Sequence, residues 1–171
     1  MQEPNRPEIT LRRPTLDDAP WIWRLVRETG VLDENSSYLY LLLCHDFAET
    51  CIVAERESRV VGFVTAYRPP DRSEVLFIWQ VGVSPTAQRQ GLARRMLLEL
   101  VARCGAGAGG IEFVEATVSP SNTPSRRLFE SLACGLNSTL ADGEGFRESH
   151  FPSGGGHEAE PLIRIGPLSG L

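Results

Sequence analysis

A strand passes into a helix through a glycine turn in the stretch Gln80-Val81-Gly82-Val83-Ser84-Pro85-Thr86-Ala87-Gln88-Arg89-Gln90-Gly91-Leu92-Ala93. The apolar run from Val75 to Val83 is typical of a buried strand, and Pro85 ends it. After the turn, apolar residues recur at helical spacing on one face: Leu92, Met96, Leu100, Val101 and Cys104. The first N–H groups of a helix have no intrahelical partner, and its dipole is positive there. The pattern therefore predicts an anion site suited to a pyrophosphate.

Composition indicates one ordinary globular domain and argues against several kinds of partner. The 171 residues are 42% hydrophobic and 23% charged, which is outside the range of disordered chains. No apolar run reaches the ~18 residues that a membrane helix needs, so no membrane association is expected. The net charge is −5 without a basic block, which argues against nucleic acid as a partner.

The spacing of the cysteines and the absence of lysine argue against disulfides, Schiff bases and P-loops. The four cysteines have no C-x-x-C spacing and lie in apolar segments, so we expect reduced thiols in a cytoplasmic protein. The first residues lack the basic start and apolar stretch of a signal peptide. All 17 basic residues are arginine, so a lysine Schiff base and the lysine of a P-loop are both impossible.

Strands alternate with helices along the chain. Residues 1–8 are predicted to be a flexible leader, and residues 9–168 a single domain. We predict an α/β fold with a mixed central sheet flanked by helices. Residues 143–156 are rich in turn-forming types and are predicted to be irregular. The predicted strands are 9–13, 51–55, 60–67, 75–83, 112–118 and 161–165. The first helix is expected to follow Thr15 and Asp18, which have capping-box spacing, and to stop at Gly30. Further helices are expected near 38–47, 92–104 and 122–132.

The turn carries a family resemblance. Gln88-x-x-Gly91-x-Ala93 resembles the acetyl-CoA motif Gln/Arg-x-x-Gly-x-Gly/Ala of the Gcn5-related N-acetyltransferase (GNAT) family, and the predicted element order agrees with that fold. The alternative is a turn that needed a glycine only for its backbone angles. The resemblance implies acetyl-CoA as co-substrate, bound by Val81, Gly82, Val83, Gln88, Arg89, Gln90, Gly91, Leu92 and Ala93.

Four other segments indicate the acceptor. They are Leu32–Tyr38, Ile78–Val81, Ser119–Ser125, and His150–Pro152 with His157–Glu160. Together they resemble the branch of the family that acetylates the 4-amino group of L-2,4-diaminobutyrate in ectoine biosynthesis. The resemblance runs from about Ile9 to Leu168, and it also implies a homodimer.

The acceptor chemistry assigns roles to five residues. A primary ammonium has a pKa near ~10.4, so the substrate arrives protonated and must lose a proton before it attacks a thioester. On the resemblance, Asp33 and Glu158 would bind the ammonium groups, while Tyr38 and Trp79 would wall the pocket. His157 would orient the substrate or relay a proton. No metal is expected.

Each of these residues also has a structural alternative. Asp33 has the residue type and position to cap the second helix. Glu158 would equally suit a solvated loop. A tryptophan on a strand, such as Trp79, is more often part of a core than of a pocket. A histidine such as His157 is more often at the surface than at a reacting centre.

The last helix departs from the family pattern. The resemblance implies contacts with CoA from Asn122, Ser125 and Phe129. Many relatives have a tyrosine at the position of Phe129, where it protonates the departing thiolate. A thiol has a pKa near ~8.5, so CoA can leave with modest help, and Tyr38 or a water remains a candidate proton donor. Direct attack of the amine is favoured over an acetyl-enzyme.

The residues leave other functions open. Within the enzymes, the alternative is an acetyltransferase for another small amine, such as a polyamine or an aminoglycoside. From a different class, the alternative is a non-catalytic acyl-CoA-binding module, which would release no thiol with any amine. A nucleoside triphosphate binder is a weaker third hypothesis, because the chain has no lysine.

Overall fold

A computed structural model describes residues 8–106 and 109–168, so residues 1–7 of the predicted leader lie outside the described part. The helices are α1 Ala19–Thr29, α2 Ser37–His45, α3 Leu92–Gly105 and α4 Thr123–Gly135. The strands are β1 Thr10–Arg12, β2 Ile52–Arg56, β3 Arg59–Tyr67, β4 Val75–Val83, β5 Phe113–Thr117, β6 Leu140–Phe146 and β7 Glu160–Ile165. None of the described helices combines the length and apolar character that crossing a bilayer requires.

The strands form one mixed sheet, which confirms the predicted α/β class. Their order among the described residues is β1-β2-β3-β4-β5-β7-β6. Strands β4 and β5 run parallel, whereas β1–β2, β2–β3, β5–β7 and β6–β7 are antiparallel. The bounds of β4 agree with the prediction to the residue.

Strand β6 corrects the prediction of an irregular segment after Gly143. The sequence of β6, Leu-Ala-Asp-Gly-Glu-Gly-Phe, has little intrinsic strand preference, and the strand forms because β7 pairs with it. The register shifts between Gly143 and Phe146. A Cβ atom on Gly145 would lie 2.0 Å from the carbonyl oxygen of Glu160, so only glycine fits at this bulge.

The chain divides into two compact units by its contacts. The first unit contains the described part of Met1–Thr65 together with Gln80–Met96. Its core holds the apolar face of α1, with Ile22, Leu25 and Val26, packed with α2 residues such as Tyr40. The predicted end of α1 at Gly30 is confirmed, since Gly30 adopts a left-handed φ of 63°.

The 3₁₀ turn Leu16–Asp18, which leads into α1, is fixed by local pairing within the first unit. The backbone N–H and the hydroxyl of Thr15 both donate to Asp18 Oδ2, at 2.7 and 3.1 Å. This contact was expected from the capping-box spacing of the two residues. Arg12 adds two bonds to the same carboxylate, at 2.7 and 2.8 Å, so the buried Asp18 charge is compensated.

The second unit contains Ala66–Trp79 and the described part of Leu97–Leu171. Its most buried charge is the Glu115 carboxylate of β5, whose side chain is 0% exposed. Arg72 donates to one carboxylate oxygen at 2.7 Å, and Arg164 donates to the other at 2.8 Å. The two arginines offset the cost of burying this charge and tie β5 to the chain before β4 and to β7.

Candidate functional site

The turn between β4 and α3 has the backbone conformation that the sequence predicted. Arg89 and Gly91 both adopt left-handed φ angles, of 59° and 70°. A Cβ atom added to Gly91 would meet no heavy atom within 4 Å, so the space over the turn is open. Among the described residues, no backbone carbonyl accepts from the N–H groups of Gly91, Leu92 or Ala93. These groups stand at the positive end of a 14-residue helix.

Two side chains of the turn hydrogen-bond to backbone carbonyls of the same segment. Gln88 Nε2 donates to the Val83 carbonyl at 3.2 Å, and Gln90 Nε2 donates to the Thr86 carbonyl at 3.4 Å. Ala87 is fully buried beneath them. The amide side chains thereby brace the loop, which leaves the backbone N–H groups as the donors with free capacity. That arrangement suits a pyrophosphate, which accepts several hydrogen bonds at once.

The end of β4 is shaped by packing within the first unit. A Cβ atom on Gly82 would lie 2.3 Å from the Phe63 ring, so glycine is required here by the core. Val81 and Val83 are half-buried on either side of it. The predicted contact of Val81, Gly82 and Val83 with a pantetheine arm remains a prediction.

Asp33 and Tyr38 lie in the first unit, at the entry to α2. The side chain that caps α2 is Ser36, whose Oγ accepts the Tyr38 N–H at 3.3 Å, so the capping alternative for Asp33 is wrong. Asp33 is exposed on a stretch without regular structure, and Tyr38 is 64% exposed in the first turn of α2. Both side chains are therefore accessible to a ligand.

A buried polar network beside Asp33 was missed by the sequence interpretation. Gln80 is 7% exposed in the middle of β4, and its Nε2 donates to the Asp33 carbonyl at 3.0 Å. The hydroxyl of the fully buried Tyr40 donates to Gln80 Oε1 at 2.9 Å, and burial raises the pKa of this tyrosine. The available signal was a glutamine inside an apolar strand, because a buried amide requires hydrogen-bond partners.

Trp79, His157 and Glu158 lie in the second unit. Trp79 is 37% exposed, so its assignment to a core is wrong. Glu158 is exposed, but its Oε2 accepts the backbone N–H of Ser121 at 3.2 Å, so it is not simply a solvated charge. This bond, which the sequence did not reveal, ties the loop before β7 to the residue that precedes Asn122.

The ring of His157 is held in a defined tautomer. It stacks on Phe151 with centroids 3.9 Å apart and planes 8° from parallel. Nδ1 lies 3.0 Å from the Glu158 carbonyl, and since a carbonyl only accepts, Nδ1 carries the proton. Nε2 is then the basic nitrogen, 3.9 Å from Glu160 Oε1, and Thr117 donates to the other oxygen of that carboxylate at 2.6 Å. Nε2 is therefore the ring atom that faces an acidic side chain.

Helix α4 begins with the residues expected to contact CoA. The Asn122 side chain caps the helix by accepting the Ser125 N–H at 3.2 Å. Phe129 is 4% exposed, on the buried face of the helix, and carries no group that can protonate a thiolate. In residues 8–106 and 109–168, no cluster of three or more His, Cys, Asp or Glu side chains is placed to hold a metal ion.

The predicted site residues divide between the two units. Asp33 and Tyr38 stand in the first unit together with the whole turn from Gln88 to Ala93. His157, Glu158 and Asn122 stand in the second, where Ser121 connects them through its bond to Glu158. The gathering of both sets around one substrate remains a prediction.

Comparisons with known proteins identify the family of this chain. The model of the acetyltransferase (GNAT) family matches residues 16–135. An L-2,4-diaminobutyric acid acetyltransferase of Halalkalibacterium halodurans is 46% identical over 94% of this chain and 82% of its own. One from Streptomyces coelicolor is 43% identical over 95% of each chain.

A solved structure is similar along nearly the whole chain. It is the diaminobutyrate acetyltransferase of Paenibacillus lautus in complex with its substrate L-2,4-diaminobutyric acid and coenzyme A. The similarity has a TM-score of 0.88 at 43% identity, and it covers 96% of this chain and 98% of that one.

Proposed function

Because the chain belongs to the acetyltransferase (GNAT) family, we propose that it transfers acetyl from acetyl-CoA to the 4-amino group of L-2,4-diaminobutyrate. The product is N4-acetyl-L-2,4-diaminobutyrate, an intermediate of ectoine biosynthesis. The observation that carries this proposal is the near-complete match, in sequence and fold, to an enzyme solved with diaminobutyric acid and coenzyme A.

The reaction needs a neutral amine. The 4-ammonium group loses one proton, and its neutral nitrogen forms a bond to the thioester carbonyl carbon. The C–S bond then breaks to release the CoA thiolate, the nitrogen loses a second proton to become the amide, and the thiolate gains a proton. The free ammonium has a pKa near ~10.4, so a nearby base must take the proton at neutral pH. His157 Nε2 is one candidate for that base, because its Nδ1 proton is committed to the Glu158 carbonyl.

The acceptor pocket uses the residues named from the sequence. Asp33 and Glu158 bind the ammonium groups, and Tyr38 and Trp79 wall the pocket. The support is chemical: both carboxylates and the Tyr38 ring are exposed, and Trp79 is more than a third exposed. A tryptophan face beside an ammonium adds a cation–π attraction.

Acetyl-CoA is bound through backbone N–H groups of the turn. The open space over Gly91 and the N–H groups of Gly91, Leu92 and Ala93 support a pyrophosphate there. The other contacts of this co-substrate are those inferred from the family resemblance, at Val81, Gly82, Val83, Gln88, Arg89, Gln90, Asn122, Ser125 and Phe129. An N–H of β4 near Val81 stabilises the oxyanion.

Transfer is direct. Cys44 is the thiol next to a histidine in the sequence, and it is 3% exposed. Burial raises its pKa to about 12, so it stays protonated and does not serve as a nucleophile. With Phe129 unable to act as the acid, Tyr38 or a water protonates the thiolate of CoA.

The experiment is thiol release from acetyl-CoA with a panel of amines, followed by NMR of the product. We expect release with L-2,4-diaminobutyrate, acetylated at the 4-amino group, well above that with a polyamine or an aminoglycoside. A preference for one of those amines would support the alternative acceptor. Acetyl-CoA binding without thiol release for any amine would instead identify an acyl-CoA-binding module.

A homodimer and a cytoplasmic location complete the proposal. The dimer rests on the family resemblance, and the location is supported by the four cysteines, which form no disulfide with one another.

A further inference from the structure

Gln80 links the middle of a buried strand to the loop that carries a proposed substrate carboxylate. We propose that Gln80 is a positioning residue, which sets the place of Asp33 and thereby the length of diamino acid that the enzyme accepts. The proposal rests on the proposed function, since it concerns how Asp33 meets the substrate.

The orientation of the Gln80 amide is fixed by its partners. The Asp33 carbonyl can only accept, so the group 3.0 Å from it must be the amide nitrogen. The oxygen of the same amide then faces the Tyr40 hydroxyl, which donates to it at 2.9 Å. Gln80 and Tyr40 are both buried, so the bond between them is not readily replaced by water, whereas the bond to the exposed Asp33 is part-buried.

The loop that carries Asp33 has no regular secondary structure of its own. Residues 33–36 lie between the end of α1 and the start of α2 without helix or strand. Asn35 Nδ2 donates to the same Asp33 carbonyl at 3.2 Å and approaches the Tyr40 hydroxyl at 3.5 Å. The backbone of Asp33 is thus anchored by two amide donors, and both connect to Tyr40.

Anchoring of this kind bears on specificity. An ammonium group must meet the carboxylate while the other amine lies against the thioester, so the distance between the two points selects the chain length of the substrate. If Gln80 no longer holds the Asp33 backbone, the carboxylate gains freedom. Diaminobutyrate then loses its advantage over ornithine, which is one methylene longer, and over 2,3-diaminopropionate, which is one shorter.

The test uses Gln80→Met, which keeps length and removes both polar atoms, and Tyr40→Phe, which removes only the hydroxyl. For each we expect the KM for diaminobutyrate to rise about tenfold, with the KM for acetyl-CoA within about twofold. The kcat/KM preference for diaminobutyrate over ornithine should fall about tenfold. The double variant should lose less than the product of the two single losses, because both partners of the Tyr40–Gln80 bond are then gone.

Thr65→Val is the matched control. Thr65 is also buried, and among the described residues its hydroxyl bonds to the Gln80 backbone carbonyl, at 3.5 Å, and not to the Gln80 amide, so its removal should leave the preference for diaminobutyrate unchanged. A purely structural loss would lower activity with every amine in proportion. Such a proportional loss overturns the positioning role, and so does an unchanged KM for diaminobutyrate in variants that fold. If Gln80→Met does not fold, Tyr40→Phe provides the test. An inactive wild type would refute the proposed function itself.

Discussion

Gly91 offers a direct test of the phosphate turn, because the same substitution can be made at a matched glycine elsewhere. The perturbation is Gly91→Ala. Gly91 has a φ of 70°, and an added Cβ would touch no protein atom within 4 Å. Gly109, in the loop after α3, has a φ of 80° and the same empty surroundings. Gly109→Ala therefore carries the same backbone strain at the opposite end of the helix.

The strain and the binding loss have separate magnitudes. A left-handed conformation costs an L-residue roughly 1–2 kcal/mol, so each variant should melt about 2–8 °C below the wild type. At Gly91 alone the methyl is added beside the N–H groups that are proposed to bind the pyrophosphate. Losing one hydrogen bond to a charged group costs about 1.5–3 kcal/mol, which raises the Kd for acetyl-CoA about tenfold to more than a hundredfold.

The assay is titration calorimetry with acetyl-CoA, next to thermal melts without ligand. We expect Gly109→Ala to bind acetyl-CoA like the wild type and Gly91→Ala to bind it weakly. Both variants should show a similar fall in melting temperature. Equal affinities in the two variants would refute the placement of the pyrophosphate at this turn.

Three further predictions follow from the site, the ion pairs and the family. Asp33→Asn and Glu158→Gln keep the shape of the side chain and remove its charge, so each should lower kcat/KM for diaminobutyrate about tenfold to a hundredfold. Near-normal turnover in both variants would place the pocket elsewhere. Recovery of turnover at higher pH would identify a lost proton acceptor. For Asp18, burial raises the pKa, but bonds from Arg12 and Thr15 outweigh it, so the pKa lies below its ordinary 3.8. This contribution to stability is present above the unfolded pKa and is lost as the pH falls through the folded one, so the Tm advantage over Asp18→Asn should shrink in melts taken below about pH 4. Sedimentation velocity should find a homodimer, whereas a monomer over a wide concentration range would contradict it.

The sequence predicted those elements that depend on residues close together in the chain. The bounds of β4, the glycine stop of α1 and the pairing of Thr15 with Asp18 all depend on neighbours within a few residues, and each agrees with the structure. The buried face of α3 follows from the same 3.6-residue period. Strand β6 was missed because its own residues favour turns, and pairing with β7 overrides them.

For the candidate site, the sequence determined the residue types and the turn that presents N–H groups, since these depend on glycine conformation and helix polarity. Only the tertiary structure decided which partners hold the site residues. Gln80 meets Tyr40 across 40 positions of the chain, and Glu158 meets the Ser121 N–H across 37. Side chains so far apart in sequence leave no periodic trace, because their contact exists only once the sheet has formed. The sequence therefore predicted a turn for acetyl-CoA and a set of acceptor candidates, while folding selected the bonds that orient Asp33, His157 and Glu158.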